Sequence, residues 1–550
     1  MKKILIVGGV AGGATAATRL RRLNEKDSII MFEKGKHISF ANCGLPYHIG
    51  GVIHRREDLL LQTPESFRSR YNIDVRVNSE VLSINPISKK ISVKNLLTLE
   101  QYDETYDKLI LAPGAAPIVP AMEGSTLDNV LTLRNIDDMD RIKQYINLNN
   151  AKSAAIVGGG FIGLEMAENL KKAGLKVSII EMSKQLMAVL DPEMAEDVHR
   201  YIEQTGITLY LGNGLSKIEK NENKLKITLS NGTLEEDMLI LAIGVRPETA
   251  FIKDSGLSLN ERGGIIVNKY MQTSDPDIFA VGDAVQVNDF ISGKPVMVPL
   301  AGPANKQARI AADNINGIPS EYKGSQGSAI IKIFDMTAAV TGLNEKTASS
   351  LNLNYDKIYL WLNDHAGYYP GSKPMSIKVI FDKENGKILG AQIVGFKGVD
   401  KRCDVLAVAI RAGMTAKELK ELELCYSPPF SSAKDPVNMA AYVIENVMTG
   451  KIRNFHWHDV DSLPRDDSVI LLDVREKLEY EEGHIEGFIN IALDNLREAI
   501  NGLDKKKTVY VNCHSGIRSY TAARILSQNG FNVFNLSGGY RLYKAARLRI

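Results

Sequence analysis

The sequence has no uninterrupted apolar run of about eighteen residues, the length a membrane-crossing helix needs, so no membrane span is expected. It also lacks a charge excess. Lys and Arg number 67 against 65 Asp and Glu, which gives no reason to expect nucleic acid or an anionic membrane as the main partner. Cysteine is scarce: Cys43, Cys403, Cys425 and Cys513 are far apart and form neither a CxxC pair nor a zinc spacing. No metal site is expected, and thiols used one at a time fit a reducing cytoplasm. The start, MKKILIVGGVAGGATAATRLRRL, has the lysines and apolar run of a secretory signal. Arg19, Arg21 and Arg22 follow in helical pattern, however, and Ser28–Glu33 reads as a second strand, so no signal is expected.

At 550 residues the chain has room for three or four domains, and 44% hydrophobic residues with 45 glycines fit an α/β protein. Lys3–Val7 is an apolar strand running into Gly8-Gly9-Val10-Ala11-Gly12-Gly13 and then a helix over 14–23. A strand, a glycine turn and a helix N-terminus in that order let a pyrophosphate approach unpaired N–H groups. Val10 breaks the full G-x-G-x-x-G pattern, but Glu33 lies 25 residues after Gly8, where an acid can accept from a ribose hydroxyl. Two distant strand-to-glycine junctions fit the same site, Leu109–Gly114 with Ala112 and Gly114, and Asp277–Ala284 with Asp283.

The pattern recurs at Ala154–Glu165, where Gly158, Gly160 and Gly163 satisfy G-x-G-x-x-G, and Glu181 ends the next strand 23 residues after Gly158. An acid there favours the 2′-hydroxyl of NADH over the 2′-phosphate of NADPH, without excluding either. Two dinucleotide folds predict a flavin paired with a nicotinamide. Between them stands Ser39-Phe40-Ala41-Asn42-Cys43-Gly44-Leu45-Pro46-Tyr47, a single thiol about thirty residues beyond the first glycine turn. A thiol beside a redox cofactor points to chemistry on a disulfide, persulfide or peroxide; otherwise it is a small buried hydrophobe.

With these motifs in order, residues 1 to about 450 resemble the two-dinucleotide flavoprotein disulfide reductases, and the SFxNCGLPY form resembles coenzyme A disulfide reductase. The resemblance implies FAD at the first site, NAD(P)H at the second and a homodimer. It implies that Cys43 attacks a CoA disulfide, and that Thr15, Arg19, Arg22, Ser39 and Asn42, with Asn305 and Lys434, contact CoA. Arg22 reads equally as part of a solvated helix face. The same comparison implies that Tyr368 and Tyr426 come from the partner subunit and assist thiol protonation. Single-cysteine NADH oxidases and peroxidases are the alternative, cycling the thiol through a sulfenic acid. They tend to carry a histidine in the first glycine loop, where this chain has Ala11.

Near residue 448 a new α/β pattern begins. The strand Thr508–Asn512 delivers Cys513-His514-Ser515-Gly516-Ile517-Arg518-Ser519 ahead of a helix expected over 520–529. A thiol at a strand-to-helix turn can have its anion held by loop N–H groups, with Arg518 adding positive charge or structuring the loop. The segment resembles a single-domain rhodanese; the competing phosphatase loop is one residue longer. The expected fold is therefore α/β: two Rossmann-like dinucleotide-binding domains, an α+β dimerisation domain and a C-terminal rhodanese domain. The expected boundaries are 1–120 with 250–324, 121–249, 325–447, a linker at 448–458, and 459–550. The expected activity is NAD(P)H-driven reduction of CoA disulfide, CoA persulfide or polysulfide, with sulfane sulfur carried on Cys513. A sulfur carrier without redox turnover is the remaining alternative.

Overall fold

The computed structural model describes residues 1–548. The chain forms two compact units, one comprising Met1–Ser183 and Ile207–Ser325, the other Lys184–Gly206 and the residues from Gln326 onward.

The first unit holds two parallel five-stranded sheets. In one, the order is Ile278–Ala280, Lys108–Leu111, Lys3–Val7, Ser28–Phe32 and Asp74–Arg76. In the other it is Val130–Leu131, Met238–Leu241, Ser153–Val157, Lys176–Glu181 and Thr208–Leu211. The two orders match over four strands, while the outer fifth strand comes last in the chain in the first sheet and first in the second. Each central strand feeds a glycine turn and a helix, Ala11–Leu23 in one case and Phe161–Lys172 in the other. Each sheet also carries a three-stranded antiparallel insertion at the equivalent point, Ser79–Asn85 to Gln101–Thr105 and Leu215–Asn221 to Thr233–Glu236. Central parallel strands are covered on both faces, which is why Ile4, Leu5 and Ile6, and likewise Ala154, Ala155 and Ile156, are wholly buried without polar alternation.

The second unit contains an antiparallel sheet in the order Ala329–Ile333, Met336–Gly342, Ile388–Gly395, Pro374–Asp382, Tyr355–Asn363. The helices Val399–Ala412 and Pro436–Met448 pack on it. A parallel sheet follows in the order Asn454–Phe455, Asn532–Leu536, Thr508–Asn512, Val469–Asp473, Ile489–Asn490.

Three details differ from the sequence reading. The strand Asn454–Phe455 lies within the stretch read as linker, and it hydrogen-bonds as an edge of the last sheet. The helix after Cys513 begins at Ile517, immediately after Gly516 turns at φ +100°, so Arg518 and Ser519 occupy its first turn. The helix Pro192–Gln204, within residues read as nucleotide-binding, groups with the second unit. There Lys378 Nζ meets Asp191 at 2.6 Å and Glu193 at 2.5 Å. Among the described residues, no helix is long and apolar enough to cross a membrane.

Candidate functional site

The first glycine turn closes a cradle. A Cβ added to Gly13 would lie 1.8 Å from the Gly8 carbonyl oxygen, so only glycine lets the helix Ala11–Leu23 press against the turn and aim its N-terminus into the cleft. Gly163 repeats this, with an added Cβ 2.0 Å from the Gly158 oxygen. The two acids also match. Glu33 accepts from the Gly9 and Gly35 N–H groups at 2.8 and 2.7 Å, and Glu181 accepts from Gly159 and Ser183, both at 2.8 Å. Burial pushes the Glu33 carboxyl above its usual range, opposed by those two N–H bonds.

A cavity of about 680 Å³ opens at the first turn, lined by Gly8, Gly12, Glu33, Asn42, Ala112, Gly114 and Asp283 among others. It brings together the residues the sequence placed at one dinucleotide except Gly13, which packs against the Gly8 carbonyl instead of lining the cavity. Its glycine cradle, helix N-terminus and carboxylates fit the pyrophosphate and sugar hydroxyls of such a group. The Gly282 N–H is held by Gln307 at 2.8 Å, which fixes the turn presenting Asp283.

Ser39, at φ +44°, turns the chain toward Asn42–Gly44, a single tight turn that leads into the helix Leu45–Ile49. Cys43 sits exposed in that turn, its N–H bonded to Asn42 Oδ1 at 3.1 Å. The surroundings of its sulfur are acidic. Desolvation first, then the charges of Glu165 and Asp283, push the Cys43 thiol above its ordinary value. Glu165 stands on the helix Phe161–Lys172 and accepts from Tyr47 Oη at 3.3 Å. Burial pushes its carboxyl up to about 7, opposed by that hydrogen bond. Tyr47 and Glu165 were assigned no role from sequence, because Glu165 reaches the cysteine only through the packing of two separate motifs.

Thr15 Oγ donates to Asn305 Oδ1 at 2.5 Å, joining two candidate CoA positions 290 residues apart. Arg19 is engaged by Asp313 at 2.8 Å, whereas Arg22 is exposed on the same helix. Lys434, Tyr368 and Tyr426 belong to the second unit and are exposed, with the two phenols 3.1 Å apart.

At the second cysteine the chain builds a closed sulfur seat. Cys513 is wholly buried, and its Sγ accepts from the Gly516 N–H at 3.1 Å and from Ser519 Oγ at 3.2 Å. Both donors are suited to a sulfur anion. The motif alone does not single out Ser519, whose hydroxyl meets the sulfur only once the helix begins at Ile517. Arg518 turns away to form a two-pronged ion pair with Glu479, at 2.6 and 2.7 Å, which holds that carboxyl down to about 2.

Residues 2–308 match the family model described as pyridine nucleotide-disulphide oxidoreductase. The chain belongs to that family. Residues 328–437 match the dimerisation domain of pyridine nucleotide-disulphide oxidoreductases, and 457–546 match a rhodanese-like domain. A coenzyme A disulfide reductase of Staphylococcus aureus is 40% identical over 444 residues, 80% of this chain and 99% of that one. The structure of reduced Bacillus anthracis CoADR-RHD superposes with a TM-score of 0.96 at 49% identity, covering 99% of this chain and 98% of that one. An NAD-dependent persulfide reductase from A. fulgidus gives a TM-score of 0.91 at 34% identity, covering 98% and 99%. The two solved structures extend across the disulphide oxidoreductase core and the rhodanese-like domain together, so the join between them is part of that likeness, whereas the Staphylococcus aureus relative, matched over 99% of its own length, covers 444 residues of this chain.

Proposed function

We propose that this chain is an FAD-dependent, NAD(P)H-driven reductase of CoA disulfide that also takes CoA persulfide or polysulfide, working as a cytoplasmic homodimer. The observation that carries the reading is Cys43, exposed, and within electrostatic reach of both Asp283 of the first dinucleotide cavity and Glu165 of the second dinucleotide motif. The relatives just described supply the substrate class.

In this reading Gly8, Gly12, Gly13, Glu33, Ala112, Gly114 and Asp283 hold FAD, and Gly158, Gly160, Gly163 and Glu181 hold NADH or NADPH. Bound together, those cofactors supply the two electrons that return Cys43 to the thiol. The Cys43 thiolate attacks one sulfur of the CoA disulfide; the S–S bond breaks, a CoA thiolate leaves, and Cys43 is joined to the second CoA. Thr15 and Asn305, hydrogen-bonded to each other, with Ser39 and Asn42, line the approach. Arg22, exposed, is the arginine of this group free to meet phosphate. Arg19 positions its helix through Asp313, and Lys434 adds charge from the second unit. Tyr368 and Tyr426, from the partner subunit, donate to the departing thiolate. Cys513 carries sulfane sulfur, with Arg518 structuring its loop, and exchanges it with Cys43 through a CoA thiol. The domain boundaries read from sequence belong to this proposal, except that Asn454–Phe455 joins the last sheet and Pro192–Gln204 groups with the second unit.

Cys43→Ala is expected to keep its flavin absorbance and lose NADH-dependent thiol release from CoA disulfide; undiminished release would overturn the role of Cys43. Cys513→Ser is expected to reduce CoA disulfide normally and polysulfide slowly. Equal rates on every sulfur acceptor would remove the coupling.

A further inference from the structure

We infer that the Cys513 site is selective among sulfur donors: it loads from a small thiol persulfide and rejects sulfur oxyanions such as thiosulfate. The inference rests on the reading of Cys513 as a sulfane-sulfur carrier.

Three arginine charges reach the Cys513–His514 turn, and each is already taken by a carboxylate. Arg475, buried, is clasped by Asp473 at 2.7–3.0 Å and gives its other N–H groups to the carbonyls of Glu479 and Gly483 at 3.0 and 2.8 Å. Arg518 faces Glu479 fork to fork. Arg541 donates to both oxygens of Asp197 at 2.6 and 2.8 Å, while its backbone N–H bonds the His514 carbonyl at 3.0 Å. His514 itself is pushed down by burial and adds no positive charge at neutral pH. The adjoining segment 476–486 carries five glutamates against one lysine. What the surface offers beside these pairs is apolar: Ile517, the first residue of the helix, is 51% exposed and Leu478, next to Glu479, 75%.

The chemistry makes this arrangement selective. For either donor, the Cys513 thiolate attacks the outer sulfur, a new S–S bond forms and the donor's S–S bond breaks with its electron pair. From a thiol persulfide, R–S–SH, the products are Cys513–S–SH and a thiolate RS⁻ that takes a proton from water. From thiosulfate the products are the Cys513 persulfide and sulfite, a dianion. The seat offers the sulfur two donors, Gly516 and Ser519, which match a single sulfur atom. A departing dianion finds paired arginines and a field of carboxylates, whereas an alkyl thiol finds Ile517 and Leu478.

The test uses the full-length holoenzyme with Cys43→Ala, so that sulfur loaded on Cys513 is not drained. Loading is read by intact-mass and peptide mass spectrometry as one added sulfur on Cys513, with N-acetylcysteamine persulfide or thiosulfate as donor. The persulfide is expected to load roughly 100-fold faster. Comparable rates would overturn the inference. Glu479→Gln, which frees Arg518, is expected to raise the thiosulfate rate about 10-fold relative to the persulfide rate. Leu478→Lys, which adds a cation and leaves the Glu479–Arg518 pair in place, is expected to act in the same direction, so a Glu479→Gln loop that no longer loads from persulfide still leaves a variant that decides. If neither variant raises thiosulfate loading, the electrostatic account is wrong. Loading from neither donor by the parent enzyme would overturn the carrier reading itself, and the inference with it.

Discussion

Cys43 must be a thiolate to attack a disulfide, yet the protein groups nearest in effect are two carboxylates, Glu165 and Asp283, both of which disfavour that anion. The protein's own charges therefore work against the thiolate, and its activation falls to whatever occupies the cleft. Replacing one carboxylate exposes this balance. Glu165→Gln is expected to speed alkylation of Cys43 by iodoacetamide roughly 3- to 10-fold at about pH 8, where wild-type Glu165 is ionised. Because that carboxyl titrates at about 7, the gain should fade toward pH 6, where the wild-type side chain is already neutral. An unchanged rate at the higher pH would mean that Glu165 does not act on the thiol. Cys43 was legible in the sequence because glycine turns on both sides give its motif a context. Glu165 was not, since nothing in the spacing of two motifs 122 residues apart says that they meet. Arg518 was legible as a cation but not as a paired one, for the same reason: Glu479 lies 39 residues upstream.

At the level of elements, the central parallel strands Lys3–Val7 and Ser153–Val157 were read almost to the residue, because each runs into a glycine at positive φ, Gly8 and Gly158. The antiparallel insertions and the grouping of Pro192–Gln204 were not, because they depend on pairings far apart in the chain. Lys378 shows how. It sits in the apolar run Pro374–Asp382, wholly buried, with its ammonium 2.5–2.6 Å from Asp191, Glu193 and Glu345. Those three carboxylates are close enough to hold a metal ion, but the lysine fills the space between them. Lys378→Met is expected to lower unfolding stability by about 3–5 kcal/mol at neutral pH, because three acids are left without their cation. The pH dependence gives a second check. Lys378 and Lys357 hold the Glu345 carboxyl down to about 2, below its free value of 4.5, so its stabilisation is complete above 4.5 and lost as the pH falls toward 2. Urea unfolding of the variant should lose that acid decline, and a decline as steep as in wild type would mean that Lys378 does not hold the cluster. The glycine turns permit a separate test: Gly163→Ala must push the helix Phe161–Lys172 off the Gly158 carbonyl. It is expected to raise the KM for NADH about 10-fold or more while flavin content stays at the wild-type level. Equal loss of both would point to collapse of the unit instead.

At the scale of the whole molecule, the proposed reaction needs groups from both compact units. Cys43 lies in the first; Tyr368 and Tyr426 present an exposed pair of phenols from the second, within the part of the chain that matches a dimerisation domain. If each site takes its tyrosines from the other subunit, two defective proteins can repair one another. A Cys43→Ala homodimer lacks the nucleophile at both sites, and a Tyr368→Phe/Tyr426→Phe homodimer lacks the proton donors at both. In a mixed dimer the intact Cys43 of one chain faces the intact tyrosines of the other, so one of the two sites is whole. Random exchange of equal amounts makes half of the dimers mixed, and CoA disulfide reduction should rise to about one quarter of the wild-type rate. Differently tagged subunits purified in tandem after exchange would measure the mixed species directly. Were the tyrosines to serve the cysteine of their own chain, every site in the mixed dimer would still lack one partner, and exchange would restore nothing beyond the residual activity of the tyrosine variant.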